Sequence, residues 1–264
     1  EIDMGNTRSK WRALDNDVVV ARGDQLNDAG LQGADYKVLI DSIAGSLTVG
    51  PSNDPLVDRV RICSVKALHY PVALSSAIEK VWGDCADFAK TTSFSAGVNN
   101  GYIDPGQMGV DRWSAIVATS KLLEGSGRKT AYAVVDAGSA LTIDFVDSSS
   151  AHRGGYILPG FSMQLSAVTQ GADRVWVDGQ IKPRIPAPAA STTDAVVSGV
   201  LAGLIALIDR SVGQFSETMA ADVPVFITGG DAALLMDSGV RDLFEGNVTA
   251  SSDLVLDGLQ YLLP

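Results

Sequence analysis

Two short segments of the chain combine residue types that bind phosphate. Asp3-x-Gly5-Asn6-Thr7 and Asp136-x-Gly138-Ser139-Ala140 share an Asp-x-Gly-polar pattern at a strand-to-strand turn. Glycine lets backbone N–H groups approach a phosphate without a Cβ in the way, and each aspartate can hold a cation directly or through water. A single turn of this kind is more often an ordinary hairpin. Two copies at matching places favour a phosphate site instead.

Other residues could complete a nucleotide site around these turns. Lys10 follows the first turn and could reach a phosphate as a point charge. Gly229-Gly230-Asp231 follows an apolar strand, and its paired glycines would let adenine or ribose lie against the backbone. Taken alone, this motif is more typical of an ordinary strand-to-helix turn. The stretch 125–130 is not a Walker A loop, because an arginine interrupts its glycine-lysine pair and a strand follows it.

A third segment, residues 99–113, carries groups suited to a small-molecule substrate. Asp111 lies at a predicted helix start, where a carboxylate can accept a proton in catalysis or cap the helix, and the two interpretations are evenly balanced. Arg112 offers a planar fork for a carboxylate or amide, or is a surface arginine of the helix. Tyr102 could cover a pocket or merely pack in its loop, and Trp113 is predicted to be a core residue.

The elements predicted around the two turns repeat along the chain. The first turn is followed by strands at 9–14 and 17–21, and the second lies between strands at 130–135 and 140–146, with a third strand at 154–158. Further strands are predicted at 57–65 and 223–228, and helices at 71–82, 111–123, 161–170, 193–212, 232–237 and 254–263. A glycine- and charge-rich break at 124–128 predicts two halves, 1–123 and 124–264. The repeat predicts a duplicated α/β unit with a ligand between the copies.

The composition indicates a globular protein and argues against several classes. Hydrophobic residues make up 46% of the 264 residues, and the net charge of -11 disfavours nucleic acid and anionic membranes as partners. Cys63 and Cys85 are predicted to be free thiols, and the isolated His69 and His152 argue against a zinc site or a Ser-His-Asp triad. No run approaches the ~20 apolar residues of a membrane span, and no signal-peptide pattern opens the chain, so we expect a cytoplasmic location. The chain begins at Glu1 without a methionine, and we expect it to lack its first residues.

Together these segments resemble the type III pantothenate kinases, a family that includes the Bvg accessory factors. The resemblance rests first on Glu1-Ile2-Asp3-x-Gly5-Asn6-Thr7-x-x-Lys10-Trp11-Arg12 and on Asn100-Gly101-Tyr102 with Gly109-x-Asp111-Arg112-Trp113. It continues through Asp136-x-Gly138-Ser139-Ala140-x-Thr142-x-Asp144, Gly154-Gly155-Tyr156-Ile157-x-Pro159-Gly160, Thr193-x-Ala195-Val196-x-x-Gly199 and Thr228-Gly229-Gly230-Asp231-Ala232. Six motifs in order cover nearly the whole chain.

The resemblance implies a duplicated fold of the acetate and sugar kinase, Hsc70 and actin superfamily (ribonuclease H-like), with the active site in the cleft. It implies ATP-dependent phosphorylation of pantothenate to 4'-phosphopantothenate, the first step of coenzyme A biosynthesis. The implied ATP-binding residues are Asp3, Met4, Gly5, Asn6, Thr7, Arg8, Ser9, Lys10 and Ser139. The implied pantothenate-binding residues are Tyr102, Gly109, Val110, Asp111, Arg112 and Thr193, with Asp111 as the proton acceptor.

The resemblance also implies ions and a partner. Mg²⁺ would accompany ATP, Asp136 would bind a monovalent cation (K⁺ or NH₄⁺), and a homodimer would close the pantothenate site with the neighbouring subunit. Independently, the predicted helix at 193–212 has too little polar face for a surface helix, so part of it is expected to pack on a partner.

Two positions depart from the family pattern, and two rival hypotheses remain. Ser139 stands where the family usually has threonine, and residues 171–175 replace a usual Thr-Ala-x-Leu-Pro. A regulatory protein without turnover is one alternative, but Asp3, Lys10, Asp111 and Asp136 are all intact. A sugar kinase of the same superfamily is the other, and the segment 109–113 favours pantothenate over it.

Overall fold

The computed structural model describes residues 1–27, 34–47, 57–65, 69–171 and 185–264. The chain forms two compact units. The first comprises Glu1–Ala96, Asp104–Ala118 and Val255–Pro264, and the second comprises Gly97–Ile103 and Thr119–Leu254. The functional division after residue 123 stays a prediction.

The first unit is built on a mixed five-stranded sheet. Its elements begin with β1 (Ile2–Met4), β2 (Arg8–Asp15), β3 (Val18–Leu26), α1 (Ala34–Leu47), β4 (Val60–Ser64), α2 (His69–Trp82) and β5 (Ala86–Phe88). The strand order is β3-β2-β1-β4-β5. β2 is antiparallel to both β1 and β3, whereas β4 is parallel to both β1 and β5. Parallel strands need crossover connections, and α1 and α2 lie in the chain where these are required.

The central strand β1 shows how the sequence places its polar group. Ile2 and Met4 are buried, and Asp3 between them is partly exposed on the other face of the sheet. The main buried side chains of this core are Ile2, Met4, Trp11, Tyr36, Leu39, Ile40, Ile43, Val60, Ile62, Leu74 and Ile78. The aspartate of the first phosphate turn is therefore anchored by the apolar residues on either side of it.

A connecting stretch precedes the second sheet. It contains β6 (Phe94–Ser95), β7 (Val98–Asn99), a 3-10 turn (Pro105–Gln107) and α3 (Val110–Gly125). Asp104 caps the 3-10 turn, because its Oδ1 accepts a hydrogen bond from the backbone N–H of Gly106 at 3.0 Å.

The second unit repeats the architecture of the first. Its elements are β8 (Tyr132–Ala137), β9 (Ala140–Val146), β10 (His152–Pro159), α4 (Phe161–Gln170), α5 (Thr192–Met219), β11 (Val225–Thr228), α6 (Ala232–Leu235), a π-helical turn (Met236–Val240), α7 (Arg241–Leu243) and β12 (Val248–Ala250). The strand order is β10-β9-β8-β11-β12, with the same pattern of parallel and antiparallel neighbours as in the first sheet. The predicted duplicated α/β fold is confirmed.

The core of the second unit lies against β8 and α5. Four of the six β8 residues, Tyr132 to Val135, are buried in succession, as expected for a strand covered on both faces. From α5, the side chains of Val197, Leu201, Leu204 and Ile208 enter the core. Among the described residues, α5 is long and apolar enough to cross a membrane by length and composition alone, but half of its most apolar stretch is buried inside the protein. Core helices of globular proteins meet the same criterion.

The last helix, α8 (Leu254–Leu262), returns the chain to the first unit. Arg12 on β2 is 7% exposed and donates from Nη1 to Asp257 Oδ1 at 2.5 Å and from Nε to Glu1 Oε2 at 2.6 Å. Ser114 on α3 donates to the carbonyl of Val255 at 2.7 Å, and a Cβ at Gly258 would lie 2.1 Å from the Ser114 carbonyl oxygen. Glycine at 258 therefore lets α8 pack closely on α3.

The predicted elements differ from the structure in a few places. α1, β5 and β12 were not predicted, β3 continues to Leu26 instead of 21, and α5 continues to Met219 instead of 212. The segment predicted as a helix to 237 ends as α6 at Leu235 and passes into the π-helical turn, in which Gly239 has φ 130°. Both cysteines are free thiols, as predicted. All of the departing segment 171–175 except residue 171 lies outside the described residues.

Candidate active site

The first phosphate turn, residues 5–7, joins β1 to β2. Asp3 lies directly opposite Lys10 in the antiparallel pair, so the carboxylate and the ammonium group share one face of the sheet. A Cβ at Gly5 would lie 2.7 Å from the carbonyl oxygen of Arg8, so the turn closes because residue 5 is glycine. The side chains of Asn6, Thr7 and Arg8 are exposed. The turn therefore presents polar groups outward beside a lysine.

Asn27 stabilises this turn through hydrogen bonds of its side chain and its backbone. Its Nδ2 donates to the Gly5 carbonyl at 2.9 Å, and its backbone N–H donates to the Thr7 carbonyl at 2.7 Å. Its Oδ1 accepts a hydrogen bond from the hydroxyl of Ser9, which is fully buried, at 2.7 Å. Ser9 and the buried Met4 thus support the turn from its inner side, while Arg8 pairs with Asp24 of β3. No sequence motif marks Asn27, and only the pairing of β2 with β3 brings it to the turn.

The second phosphate turn, residues 138–139, joins β8 to β9. Its Gly138 N–H donates to the Ala140 carbonyl at 3.0 Å, and the Ser139 carbonyl accepts from the N–H of Gly160 at 2.9 Å. A Cβ at Gly160 would lie 2.1 Å from the Gly138 carbonyl oxygen. The glycine that begins α4 therefore permits that helix to start directly against the turn.

The predicted adenosine segment meets the second turn within the same unit. Gly229 has φ +98°, and a Cβ there would lie 2.3 Å from the Ala137 carbonyl oxygen and 2.5 Å from Asp136 Oδ1. The backbone N–H of Asp231 donates to that same carbonyl at 2.8 Å. Burial raises the pKa of the Asp231 carboxyl. Two motifs about ninety residues apart in the chain thus form one surface.

Asp136 is surrounded by oxygen donors on its own sheet. Thr142 of β9 and Thr228 of β11 are its direct partners on the two neighbouring strands, so the three side chains form a row on one face. Thr142 is 9% exposed and Thr228 is 2% exposed. Carboxylate and hydroxyl oxygens suit a hard cation such as K⁺ or Mg²⁺. Within the described ranges, no group of three or more histidine, cysteine, aspartate or glutamate side chains forms a metal cluster.

The substrate segment begins α3. Asp111 is partly exposed, and its Oδ1 accepts a hydrogen bond from the Arg112 backbone N–H at 2.8 Å. A Cβ at Gly109 would lie 2.5 Å from the same Oδ1, so glycine there makes room for the carboxylate. Arg112 is 5% exposed, and the surface-arginine interpretation is therefore wrong. Trp113 is fully buried, which confirms that it is a core residue.

Two predicted pantothenate residues, Tyr102 and Thr193, lie in the second unit. The backbone N–H of Tyr102 donates to Asn100 Oδ1 at 2.9 Å, and its ring lies 5.9 Å from that of His152, centroid to centroid. Thr193 is partly buried in the first turn of α5. Ser191 caps this helix: it accepts from the Asp194 N–H at 3.1 Å and donates to the Asp194 carboxylate at 2.7 Å.

The predicted residues are thus distributed over both units. The first unit holds Asp3 to Lys10 together with Gly109, Val110, Asp111 and Arg112, and the second holds Tyr102, Asp136, Ser139 and Thr193. His152, predicted to be isolated, is not: its Nε2 lies 2.9 Å from Asp144 Oδ1, and both side chains are buried. The two residues are eight positions apart across a hairpin, a separation that no local ligand motif marks.

Both units have this topology, each with an Asp-x-Gly turn after its first strand, and this is the fold of the class of actin-like ATPases and sugar kinases. A Clostridium difficile activator of 2-hydroxyisocaproyl-CoA dehydratase with bound ADPNP has this fold, with a TM-score of 0.51, 12% identity and coverage of 99% of this chain and 91% of its own. Within this class, the chain belongs to the type III pantothenate kinase family, whose family model matches residues 1–214.

Individual relatives agree with this assignment. The type III pantothenate kinase of Cellvibrio japonicus is 33% identical over 262 residues, which cover 98% of this chain and 94% of the relative. That of Pseudomonas aeruginosa (strain LESB58) is 32% identical over 268 residues, covering 100% and 98%. A Baf family structure from Campylobacter jejuni has the same fold, with a TM-score of 0.58, 19% identity and coverage of 99% and 96%. The enzyme is a kinase that phosphorylates pantothenate in coenzyme A biosynthesis, with ATP as the phosphoryl donor.

Proposed function

We propose that Asp111 accepts the proton of the primary hydroxyl of pantothenate as that oxygen attacks the γ-phosphorus of ATP. The products are 4'-phosphopantothenate and ADP. The observation that carries this assignment is the position of Asp111: a partly exposed carboxylate at the start of α3, beside a glycine that makes room for it and a buried arginine. A carboxylate within hydrogen-bond reach of the hydroxyl can orient it and take its proton.

The phosphate turns supply positioning and charge compensation. Phosphoryl transfer requires an aligned donor and acceptor and neutralisation of the phosphate charge more than covalent help from the protein. In the first turn, Gly5 permits the tight turn, and the exposed Asn6 and Thr7 are proposed to contact phosphate oxygens. Lys10 lies beside Asp3 and contributes a positive charge in a chain whose net charge is -11. Met4, Arg8, Ser9 and Ser139 complete the proposed ATP site.

Arg112 is the proposed anchor of pantothenate. The guanidinium is buried, and its planar fork matches a carboxylate or an amide group of the substrate. Tyr102, Gly109, Val110 and Thr193 are proposed to complete the pocket.

Two cations are proposed. Asp136, with the hydroxyls of Thr142 and Thr228 on either side, has the oxygen donors to hold a monovalent cation such as K⁺ or NH₄⁺. Asp3 would hold Mg²⁺ at the ATP phosphates through water, and that ion would neutralise charge on the phosphate oxygens.

We further propose a cytoplasmic homodimer whose partner closes the pantothenate site. Between Ala195 and Ala206, the exposed side of α5 carries mainly small residues, and the charged residues Asp209 and Arg210 follow. This exposed side supports the assembly. These small exposed residues are Ala195, Gly199, Ala202, Gly203 and Ala206. Small residues allow two helices to approach closely, whereas solvated helix faces are usually charged. Sedimentation at micromolar concentration should show a dimer, and a monomer alone would contradict the proposal.

Asp111→Asn tests the catalytic assignment. Asn has nearly the same size and caps a helix about as well as Asp, but it cannot accept the proton. We expect a folded variant that still binds ATP and loses at least ~100-fold in turnover, measured by coupled ADP release with pantothenate. Arg112→Lys is the matched comparison, because it keeps the charge and loses the fork, so its defect should fall mainly on the KM for pantothenate.

The capping interpretation gives the opposite result. A folded Asp111→Asn enzyme with turnover within a few-fold of the parent would remove the base assignment. The same assay with sugars in place of pantothenate, in potassium and then in sodium, measures the substrate range and the role of the monovalent cation.

A further inference from the structure

A buried polar pair lies outside the groups assigned to the reaction. Asp144 on β9 is 1% exposed and His152 on β10 is 2% exposed, and His152 Nε2 lies 2.9 Å from Asp144 Oδ1. Since a carboxylate can only accept, the ring donates from Nε2. Burying such a pair costs desolvation free energy, so it is weak evidence for a contribution to stability.

The surrounding backbone is shaped to accommodate the pair. A β-bulge lies between His152 and Gly155, and Gly154 within it has φ +99°. Bulges redirect side chains, and this one lies where His152 meets a carboxylate on the neighbouring strand. A Cβ at Gly155 would lie 2.7 Å from Asp144 Oδ1, so glycine at this position leaves room for the carboxylate.

The Tyr102 segment, residues 97–103, packs on the other side of His152. A Cβ at Gly101 would lie 2.0 Å from the His152 carbonyl oxygen and 3.4 Å from its Nδ1, so the Gly101 backbone lies against this histidine. The Asn99 N–H donates to the Ser150 carbonyl at 2.9 Å. The ring of Tyr102 is tilted 35° to the His152 ring, with the centroids 5.9 Å apart.

Asp147 fixes the hairpin from which His152 projects. Its Oδ1 accepts hydrogen bonds from the N–H of Ser149 at 2.8 Å and of Ala151 at 3.0 Å. Arg153 donates from Nε to its Oδ2 at 2.6 Å. The backbone before His152 and the ring of His152 are therefore both held, one by Asp147 and the other by Asp144.

We propose that Asp144 and His152 form a positioning pair that holds Gly101 and Tyr102 in the conformation that binds pantothenate. This rests on the proposed function of Tyr102. Neither Asp144 nor His152 contacts the reacting atoms. The pair acts through the Tyr102 ring. Loss of the Asp144–His152 hydrogen bond therefore raises the KM for pantothenate while the ATP site is unaffected.

The test uses His152→Gln, His152→Leu and Asp144→Asn in the full-length enzyme. His152→Leu keeps the volume and leaves the Asp144 carboxylate without its ring donor, whereas the Gln amide can still donate to it. We expect His152→Leu to raise the KM for pantothenate roughly 5- to 10-fold, the effect of losing about one hydrogen bond, with kcat and the KM for ATP within about 2-fold. His152→Gln and Asp144→Asn should show smaller increases, because the Gln amide can still donate to Asp144 and the Asn amide oxygen can still accept from His152.

A double-mutant cycle with Tyr102→Ala gives the decisive readout. If the pair acts through Tyr102, His152→Gln has no further effect on the KM for pantothenate once Tyr102 is removed. Additive effects of the two substitutions on the KM for pantothenate overturn the positioning role. A fall in kcat with rises of equal size in both KM values overturns it as well. If His152→Leu does not fold, the double-mutant cycle of His152→Gln with Tyr102→Ala is sufficient to test the positioning role.

The Tyr102→Ala single variant separates this proposal from the one on which it rests. An unchanged KM for pantothenate in Tyr102→Ala means that the proposed pantothenate site is wrong, and the positioning pair fails with it. A raised KM in Tyr102→Ala together with an unchanged KM in all three pair variants refutes the positioning pair alone.

Discussion

Replacing Gly229 with alanine should disrupt the second phosphate turn far more than replacing its neighbour Gly230. Gly229 has φ +98°, a conformation that costs a residue with a Cβ about 1–2 kcal/mol. The added Cβ would also lie 2.3 Å from the Ala137 carbonyl oxygen and 2.5 Å from Asp136 Oδ1, although real Cβ contacts are essentially never shorter than 3.0 Å. The turn must therefore move, at a cost of about 1–3 kcal/mol for overpacking.

The two contributions predict a loss of about 2–5 kcal/mol in the unfolding free energy of Gly229→Ala. Gly230 is the matched control, since a Cβ there has no heavy atom within 4 Å and its φ is outside the positive range. Gly230→Ala should change the unfolding free energy by less than about 1 kcal/mol. Urea unfolding measures both variants.

Activity gives a second readout of the same variants. Because the displaced atoms belong to the turn that carries Asp136, we expect Gly229→Ala to lose potassium activation and most of its turnover while Gly230→Ala keeps both. Unfolding free energies that agree within about 0.5 kcal/mol would refute the clash argument. Gly229→Ala with parental activity would show that the turn has no role in catalysis.

Three further predictions concern the supports of the site. Asp136→Asn should weaken the dependence of activity on potassium, and an unchanged potassium titration would remove the cation assignment. Asn27→Ala removes two side-chain hydrogen bonds at the first turn, so the KM for ATP should rise roughly 10-fold and the KM for pantothenate should not. An equal rise in both KM values would contradict a local role. Burial raises the pKa of Asp147, but hydrogen bonds from Ser149, Ala151 and Arg153 outweigh it and lower the pKa to about 2. The stability that this carboxylate contributes is present above its unfolded pKa of 3.8 and is lost as pH falls toward 2. Asp147→Asn should therefore be less stable by on the order of 1 kcal/mol at pH 7, and urea unfolding should show this difference shrinking below pH 4; a difference that does not change with pH would count against the charge effect.

The sequence predicted the fold because its signals are local. Each Asp-x-Gly turn lies between apolar strands. Turn residues and the alternation of apolar and polar residues predict the consecutive strands around it. α1 could have been found in the same way, since Tyr36, Leu39, Ile40 and Ile43 recur at helical spacing and all are buried. The short edge strands β5 and β12, of three residues each, carry too little pattern to be recognised.

The parts of the site that could not be predicted depend on contacts between distant segments. Asn27 reaches the first turn only because β3 pairs with β2, and Gly229 reaches the second because β11 pairs with β8. His152 acquires its partner across a hairpin that contains a bulge. Sequence spacing alone predicts which residue types are available, whereas strand register decides which of them meet.

The position of α8 has a consequence for folding during synthesis. The first unit needs residues made after almost the whole of the second, because Arg12 bonds to Asp257 and Ser114 to Val255. Domains usually fold in the order in which they leave the ribosome. When synthesis has passed residue 254, the second unit has all of its residues, but the first unit still lacks α8. The buried Arg12 then lacks Asp257, one of its two carboxylate partners. We therefore expect the second unit to complete its fold first, and the first unit to stay incomplete until α8 has been synthesised.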